Sequence, residues 1–275
     1  MQRLLLFCFL FLSIGQIYAY DPAYSKSKNT KPVELVGVDL KVPLGESIPI
    51  SLQFTNEKGE IVSLSSFFQK DRPVVLSMVY YNCPTLCNFH LNGVNKVLKD
   101  LDWNAGEKFQ YVAVSIDPKE GPEITGPKKE AYEKEYRTGK QRPPGGWNFL
   151  TGKEENIKSL ADSLGFFYKW NPGNEQWIHP SVVYILTPEG KISRYFHGIQ
   201  FNEMELKLAL VEASGGKIGT FLDKAALFCF QFDPNKGKYT IYAYNMMRIG
   251  AGLTVLLLGS YLLGYWIRNR KTVVM

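Results

Sequence analysis

From about residue 33 to residue 215 the chain alternates two hydrophobic patterns. Short runs of consecutive or alternating apolar residues predict strands, and apolar residues three and four apart predict helices. Val36 to Val42 and Ile48 to Phe54 read as short strands, and Asn56-Glu57-Lys58-Gly59 as a turn leading to Ile61 and Val62. Ser63 to Phe68 suggests a short helical turn. Pro73 to Tyr80 is almost unbroken in apolar residues, which suits a central strand buried on both faces. A helix should follow directly, with Pro84 in its first turn and Leu86, Phe89, Val94, Val97, Leu98 and Leu101 at helical spacing. Phe109 to Ile116 then predicts a second buried strand, Lys128 to Tyr136 a charged helix, Trp147 to Thr151 a strand, and Glu155 to Leu164 an amphipathic helix. Pro180 to Leu186 and Ser193 to Phe196 flank the turn Thr187-Pro188-Glu189-Gly190 and predict a β-hairpin. Asn202 caps a last helix to about Ala213, with Glu203 and Glu205 at its positive end.

Strand, helix, strand, helix, then hairpin and helix is the order of a thioredoxin-like α/β domain, a central mixed β-sheet flanked by helices. The ends of the chain read differently. Residues 1–19 carry Arg3, the apolar run Leu4 to Leu12 and a short segment ending in Ala19, the layout of a secretory signal peptide. Residues 20–32 are a polar, flexible lead-in to a domain spanning 33–215, and 216–246 form a juxtamembrane connector. Ile249 to Ile267 has no charge and is long enough as a helix to cross the hydrocarbon core, at about 28 Å. The expected transmembrane helix is therefore 247–267, and 268–275 its tail. Arg268, Arg270 and Lys271 follow the span, so the positive-inside rule puts the tail in the cytoplasm. The expectation is a single-pass protein of the cytoplasmic (inner) membrane with its domain on the periplasmic side.

Composition adjusts this picture in three ways. At 45% hydrophobic and 14% aromatic residues the chain can build a packed core, which excludes general disorder. Four cysteines in 275 residues exclude a disulfide-dense scaffold. The formal charge of +6 hints at polyanion binding, but the two hydrophobic ends hold basic residues and no acidic ones, and residues 20–246 are close to neutral. The basicity is membrane topology, and no nucleic-acid partner is expected.

The candidate chemistry lies where the strand ending at Tyr80 meets its helix, in Tyr81-Asn82-Cys83-Pro84-Thr85-Leu86-Cys87. Exposed amides and the positive end of a helix dipole favour thiolates there. Cysteines four apart in a helix lie on one side, so Cys83 and Cys87 can converge on one ion or close a disulfide. Two thiolates leave most metals incomplete, and the chain offers three histidines. His90 lies three residues after Cys87 and is read as surface or helix packing, and His197 as a surface hairpin residue. His179 enters the predicted hairpin, at the position where a thioredoxin fold passes its loop over the redox helix, usually with a cis proline. It is therefore the candidate third donor. Two thiolates and an imidazole suit copper, as Cu(I) or with an added ligand as Cu(II), whereas structural zinc takes four ligands. Cys229 is the odd thiol, read as buried.

Tyr80 through Cys87, Ser115-Ile116-Asp117-Pro118, and His179 followed by a strand and Thr187-Pro188-Glu189-Gly190-Lys191 together resemble the SCO/SenC family of copper-binding, thioredoxin-fold proteins. The resemblance covers about residues 33–215 and implies copper ligation by Cys83, Cys87 and His179. It also implies a role in maturing the CuA centre of cytochrome c oxidase subunit II, as copper donor or as thiol reductant through Cys83 and Cys87. Other copper chaperones or thiol oxidoreductases are then possible partners, and copper or redox sensing is a further alternative. The signal and C-terminal span resemble one branch of the family. Two departures stand out: Asn88 replaces the proline that often follows the second cysteine, and Gln231 replaces a histidine in the segment Cys229 to Pro234.

Overall fold

The computed structural model describes residues 37–82, 86–215, 227, 230–233, 238–241 and 243–270. The expected signal peptide, lead-in, Cys83, most of the connector with Cys229, and the tail beyond Arg270 lie outside the described residues. In chain order, β1 (Asp39–Leu40), β2 (Gln53–Thr55) and β3 (Ile61–Ser63) precede a 3-10 turn over Leu64–Phe67. Strand β4 (Val74–Val79) then leads to helix α1 (Leu86–Asp100), β5 (Gln110–Ser115) to α2 (Pro122–Arg137), and β6 (Trp147–Leu150) to α3 (Glu154–Leu164). Short strands β7 (Phe166–Phe167), β8 (Lys169–Asn171) and β9 (Gln176–Ile178) lead to β10 (Val182–Leu186), β11 (Ile192–His197) and helix α4 (Glu203–Ala213). After these come β12 (Phe230–Asp233), β13 (Lys238–Ile241) and helix α5 (Ala243–Arg270).

The central sheet has the order β11-β10-β4-β5-β6. β4, β5 and β6 are parallel, and β10 and β11 are antiparallel additions at the β4 edge. Every residue of β4, β5 and β10 is buried, as a sheet covered on both faces demands. Side chains alternate between the faces. Val75 and Val79 join the core beneath α1, α2 and α4, whereas Val74, Leu76 and Met78 join the one beneath α3. The period-2 pattern thus feeds two cores, and the fold is thioredoxin-like.

Several expectations shift in detail. The first two strands shrink, because much of 37–52 makes loop contacts such as Lys41 N–H to Gly165 O and Ile48 N–H to Gly190 O. Helix α2 begins at Pro122, six residues before the expected start, with Pro127 inside it. Proline at a first helical position needs no N–H partner, so Pro122 opens the helix. Phe89, expected in the apolar stripe of α1, is 56% exposed, and the inward positions belong to His90, Leu91, Val94, Val97 and Leu98. A polar residue occupies a core-facing site, which disguises the stripe. The segment 166–178 folds into three small strands that its pattern did not announce.

Near the C-terminal end of α1 a buried arginine collects backbone carbonyls. Arg142 donates from Nη1 to Leu98 O (3.0 Å) and Trp103 O (3.3 Å), and from Nη2 to Lys99 O and Leu101 O (both 2.8 Å). Its guanidinium lies 4.3 Å from the Tyr136 ring centroid, joining the end of α1 to α2. Orphan carbonyls at a helix end need such a partner. Further along, Phe232 of β12 is buried against Tyr195 and Phe196 at ring distances of 5.8 and 6.3 Å, so the hairpin preceding α5 packs on β11. Within α5, Met247–Ile267 is long and apolar enough to cross a membrane and is wholly unburied by the protein.

Arg142→Ala leaves four acceptors without their donor and should cost about 3 kcal/mol, or roughly 8 °C in thermal midpoint for a domain of this size. Arg142→Lys should recover less than half, because a point ammonium cannot span four carbonyls. Thermal melts of the three proteins measure this, and coincident midpoints would remove the arginine from the account of α1.

Candidate metal centre

The chain leaves β4 at its carboxyl end and turns into α1 through Tyr80, Tyr81 and Asn82. Two amides of this turn point at one carboxylate. Tyr81 N–H donates to Glu120 Oε2 at 3.1 Å and Asn82 N–H to Oε1 at 2.6 Å, while Ser115 Oγ–H donates to Oε2 at 2.6 Å. Glu120 is only 5% exposed, in the link between β5 and α2. Burial raises its carboxyl pKa, and the bonds from Ser115, Asn82 and Tyr81 pull the other way. The Tyr81 side chain is pinned as well, its hydroxyl donating to Ala113 O at 2.9 Å and its ring stacked 5.3 Å from Phe149. The residue before Cys83 is therefore fixed by a neighbouring strand end, not by its own helix.

Cys87 takes its place in the first turn of α1, directly after the parallel strand, as the pattern predicted. Cys83 lies outside the described residues. Asn88, at the position where the resembled family often has proline, accepts from Lys128 Nζ of α2 at 3.1 Å. Lys129, its neighbour, pairs with Glu57 in the turn between β2 and β3. The N-terminal part of α1 is thus braced from α2.

His179 precedes β10 and is half-buried, its ring 6.0 Å from Phe166. Its Nδ1 lies 2.8 Å from Pro180 O. A carbonyl only accepts, so Nδ1 carries the hydrogen and Nε2 is the ring nitrogen with the lone pair. Desolvation lowers its pKa, against the raising effect of the Pro180 bond, and favours the neutral ring. The His179–Pro180 bond is trans, since no peptide among the described residues is cis. In place of the cis proline usual at this turn, the chain presents an imidazole.

His90 is 2% exposed and hydrogen-bonded at both ring nitrogens, which rules out the surface reading and makes it a packing residue of α1 with polar partners. Nδ1 lies 2.8 Å from Ser181 Oγ, and Nε2 lies 3.0 Å from Ser77 Oγ. Ser181 Oγ gives its own hydrogen to Gly198 O at 2.7 Å. It therefore accepts from His90 Nδ1–H, which leaves Nε2 to accept from Ser77. Burial pushes the His90 pKa down to about 4, with His179 adding in the same direction. One turn of helix beyond Cys87, α1 is thereby joined to a residue two positions from His179. His197 is exposed at the end of β11, as expected.

Glu120, Ser77 and Ser181 were not singled out in the sequence. An acidic residue in Asp117-Pro118-Lys119-Glu120-Gly121-Pro122 was a weak signal, since its partners are backbone amides far along the chain. Ser77, the polar break in an apolar strand, was the stronger one: a buried hydroxyl requires a partner.

The His90 pKa fixes a pH dependence. The folded value lies below the unfolded one, so the unfolded chain binds more protons between about pH 6.5 and 4, and this contribution to stability falls as pH falls. Relative to His90→Gln, the wild type should lose about 3 kcal/mol of its advantage between pH 7 and pH 4. Parallel denaturant titrations across that range measure the difference, and a pH-independent gap would show that His90 does not titrate with folding.

The sequence profile of the SCO1/SenC family matches residues 44–212, which spans both Cys87 and His179. A SCO1 protein homolog of Bacillus subtilis is 26% identical over 169 residues, covering 60% of this chain and 80% of that protein. Among solved structures, a candidate electron-transfer protein from Aquifex aeolicus shares 26% identity and superposes with a TM-score of 0.55 over 63% of this chain and 96% of its own. Copper-bound ScoI from Arabidopsis thaliana is 20% identical, with a TM-score of 0.46 over 62% of this chain and 97% of its own. With well over half its length matched by the family profile, the chain belongs to the SCO1/SenC family.

Proposed function

We propose that this chain is a membrane-anchored copper metallochaperone that helps mature the CuA centre of cytochrome c oxidase subunit II, holding its cargo on Cys83, Cys87 and His179. The observation that carries the reading is the state of His179: a desolvated, neutral imidazole whose Nδ1 hydrogen is committed to Pro180 O, so that Nε2 is the donor atom. Family membership and the Cys83/Cys87 spacing support the rest of the donor set.

The chemistry of these donors fits a carrier of copper. Thiolates at a helix N-terminus are stabilised by the dipole and are soft ligands that suit Cu(I). An imidazole oriented by a backbone carbonyl adds a third donor at low reorganisation cost. Three protein ligands leave room for a ligand from the receiving partner, which lets cargo pass by exchange of one donor at a time. The apolar Met247–Ile267 segment supports anchoring, and the cluster Arg268, Arg270 and Lys271 supports a domain on the extracytoplasmic side. The proposed segments are a signal peptide at 1–19, a lead-in at 20–32, the domain at 33–215, a connector at 216–246, a span at 247–267 and a tail at 268–275.

Cys83→Ser should abolish tight Cu(I) binding by the full chain in detergent, and His179→Ala should weaken binding at least about tenfold, about 1.4 kcal/mol, in competition with a chelator. Unchanged affinity in either variant would refute the site. Retained reduction of a disulfide substrate by His179→Ala, together with retained biological function, would instead assign the cysteines to thiol-disulfide exchange.

Glu120→Ala should loosen the turn into Cys83, leaving the Tyr81 and Asn82 amides without their acceptor and the Ser115 hydroxyl with only its longer bond to Asp117 O. We expect Cu(I) affinity to fall about tenfold, with Glu120→Gln intermediate because one amide then faces an NH₂ donor. The same competition assay measures it, and wild-type affinity in Glu120→Ala would show that the turn holds its shape unaided.

A further inference from the structure

We propose that His90 is a positioning residue that locks the loop carrying His179 to the helix carrying Cys87. The inference rests on the copper site proposed above and explains how its distant halves keep register. Cys87 and His179 are separated by about half of the domain in sequence, and no backbone ladder joins α1 to β10. His90 supplies the missing link. From the first turns of α1 its Nδ1–H donates to Ser181 Oγ, two residues after His179, and Ser181 in turn donates to Gly198 O beyond β11. The Gly198 amide donates to Ser181 O at 2.8 Å, so the serine is held on backbone and side chain alike.

The other ring nitrogen reaches Ser77 in the middle of β4, and the ring edge meets Phe201 at 5.8 Å and 89°. Packing brings α1 close enough for this contact. A side chain at Gly93, one turn further along, would put its Cβ 2.0 Å from Ile199 O, so α1 lies against the backbone that follows Gly198. The polar bridge is not needed to fill space, since a leucine would occupy the pocket between two serines. What His90 adds is direction. Two hydrogen bonds at fixed angles set the rotation of α1 and the height of the 179–181 loop together.

Two measurements on the full chain in detergent test this. In the copper-free protein, hydrogen exchange followed by mass spectrometry should show residues 178–182 exchanging about fivefold faster in His90→Leu and Ser181→Ala. His90→Asn, whose amide nitrogen can take the place of Nδ1, should stay within about twofold of wild type. Unaltered exchange in His90→Leu would overturn the lock. In copper competition, His90→Leu should weaken binding about tenfold when His179 is present and less than about twofold in a His179→Ala background. An equal loss in both backgrounds would overturn the proposal, because a general packing defect does not depend on His179. If exchange responds as expected while the wild type takes up no copper, the lock stands and the copper function falls.

Discussion

The structure depends on one constraint: β4 and β5 are buried along their whole length, so apart from Ser77, which His90 satisfies, the polar groups that shape the site gather where those strands end. A fully buried parallel pair leaves no edge to water and makes a charged side chain within it costly. At the carboxyl ends of the strands this relaxes, and the polar groups gather there. The amides of Tyr81 and Asn82 emerge from β4, Ser115 closes β5, and Glu120 accepts from all three. The two strand ends are clamped by one side chain, and Asn82, the residue before Cys83, is held in that clamp. Ligand sites in open α/β sheets sit at the carboxyl ends of strands for the same reason.

Electrostatics at this end of the sheet are a balance. The N-terminus of α1 favours negative charge by about 0.3–1 kcal/mol per group, while the buried carboxylate of Glu120 at the turn before it opposes further negative charge there. Glu120 limits that opposition by spending its charge on three donors. Its raised pKa reports burial first, with the three hydrogen bonds working to keep it ionised. Lys128 and Lys129 add positive charge from α2, one bonded to Asn88 of α1 and one paired with Glu57. The turn is thus held by groups that are themselves neutralised.

Much of this arrangement is legible in the sequence because it follows from burial. The run from Pro73 to Tyr80 and the stripe Val94, Val97, Leu98 each have one stable outcome, and the cysteines fall at their junction whatever the exact helix start. Asn202 as a cap is equally direct, since its Oδ1 accepts from Glu205 N–H at 3.1 Å. The polar side of the site resists such reading. His90 hides the helical stripe by placing an imidazole at a core position, and the pattern then promotes Phe89, which faces solvent. Glu120 and Arg142 bind backbone atoms some forty residues away, and backbone acceptors carry no side-chain signature. Propensity and periodicity describe what a residue does to its own segment. They are silent about what it does to another.

That distinction bears on why a polar bridge sits in a core at all. A neutral imidazole between two serines gains about 1 kcal/mol per hydrogen bond, no more than an aliphatic side chain would gain from the same burial. Stability alone does not select it. An apolar contact, however, is non-directional, and α1 could rotate or slide against the 179–181 loop by an ångström at little cost. Hydrogen bonds weaken steeply as their angles open, so the Ser77–His90–Ser181–Gly198 chain converts a permissive contact into a fixed one. The proposed copper site, with donors on α1 and on the distant 179–181 loop, would need that precision more than further stabilisation, since a misplaced donor would not reach a shared ion. The domain therefore uses its apolar sheet for rigidity and a short line of polar atoms, crossing from strand to helix to loop, for geometry.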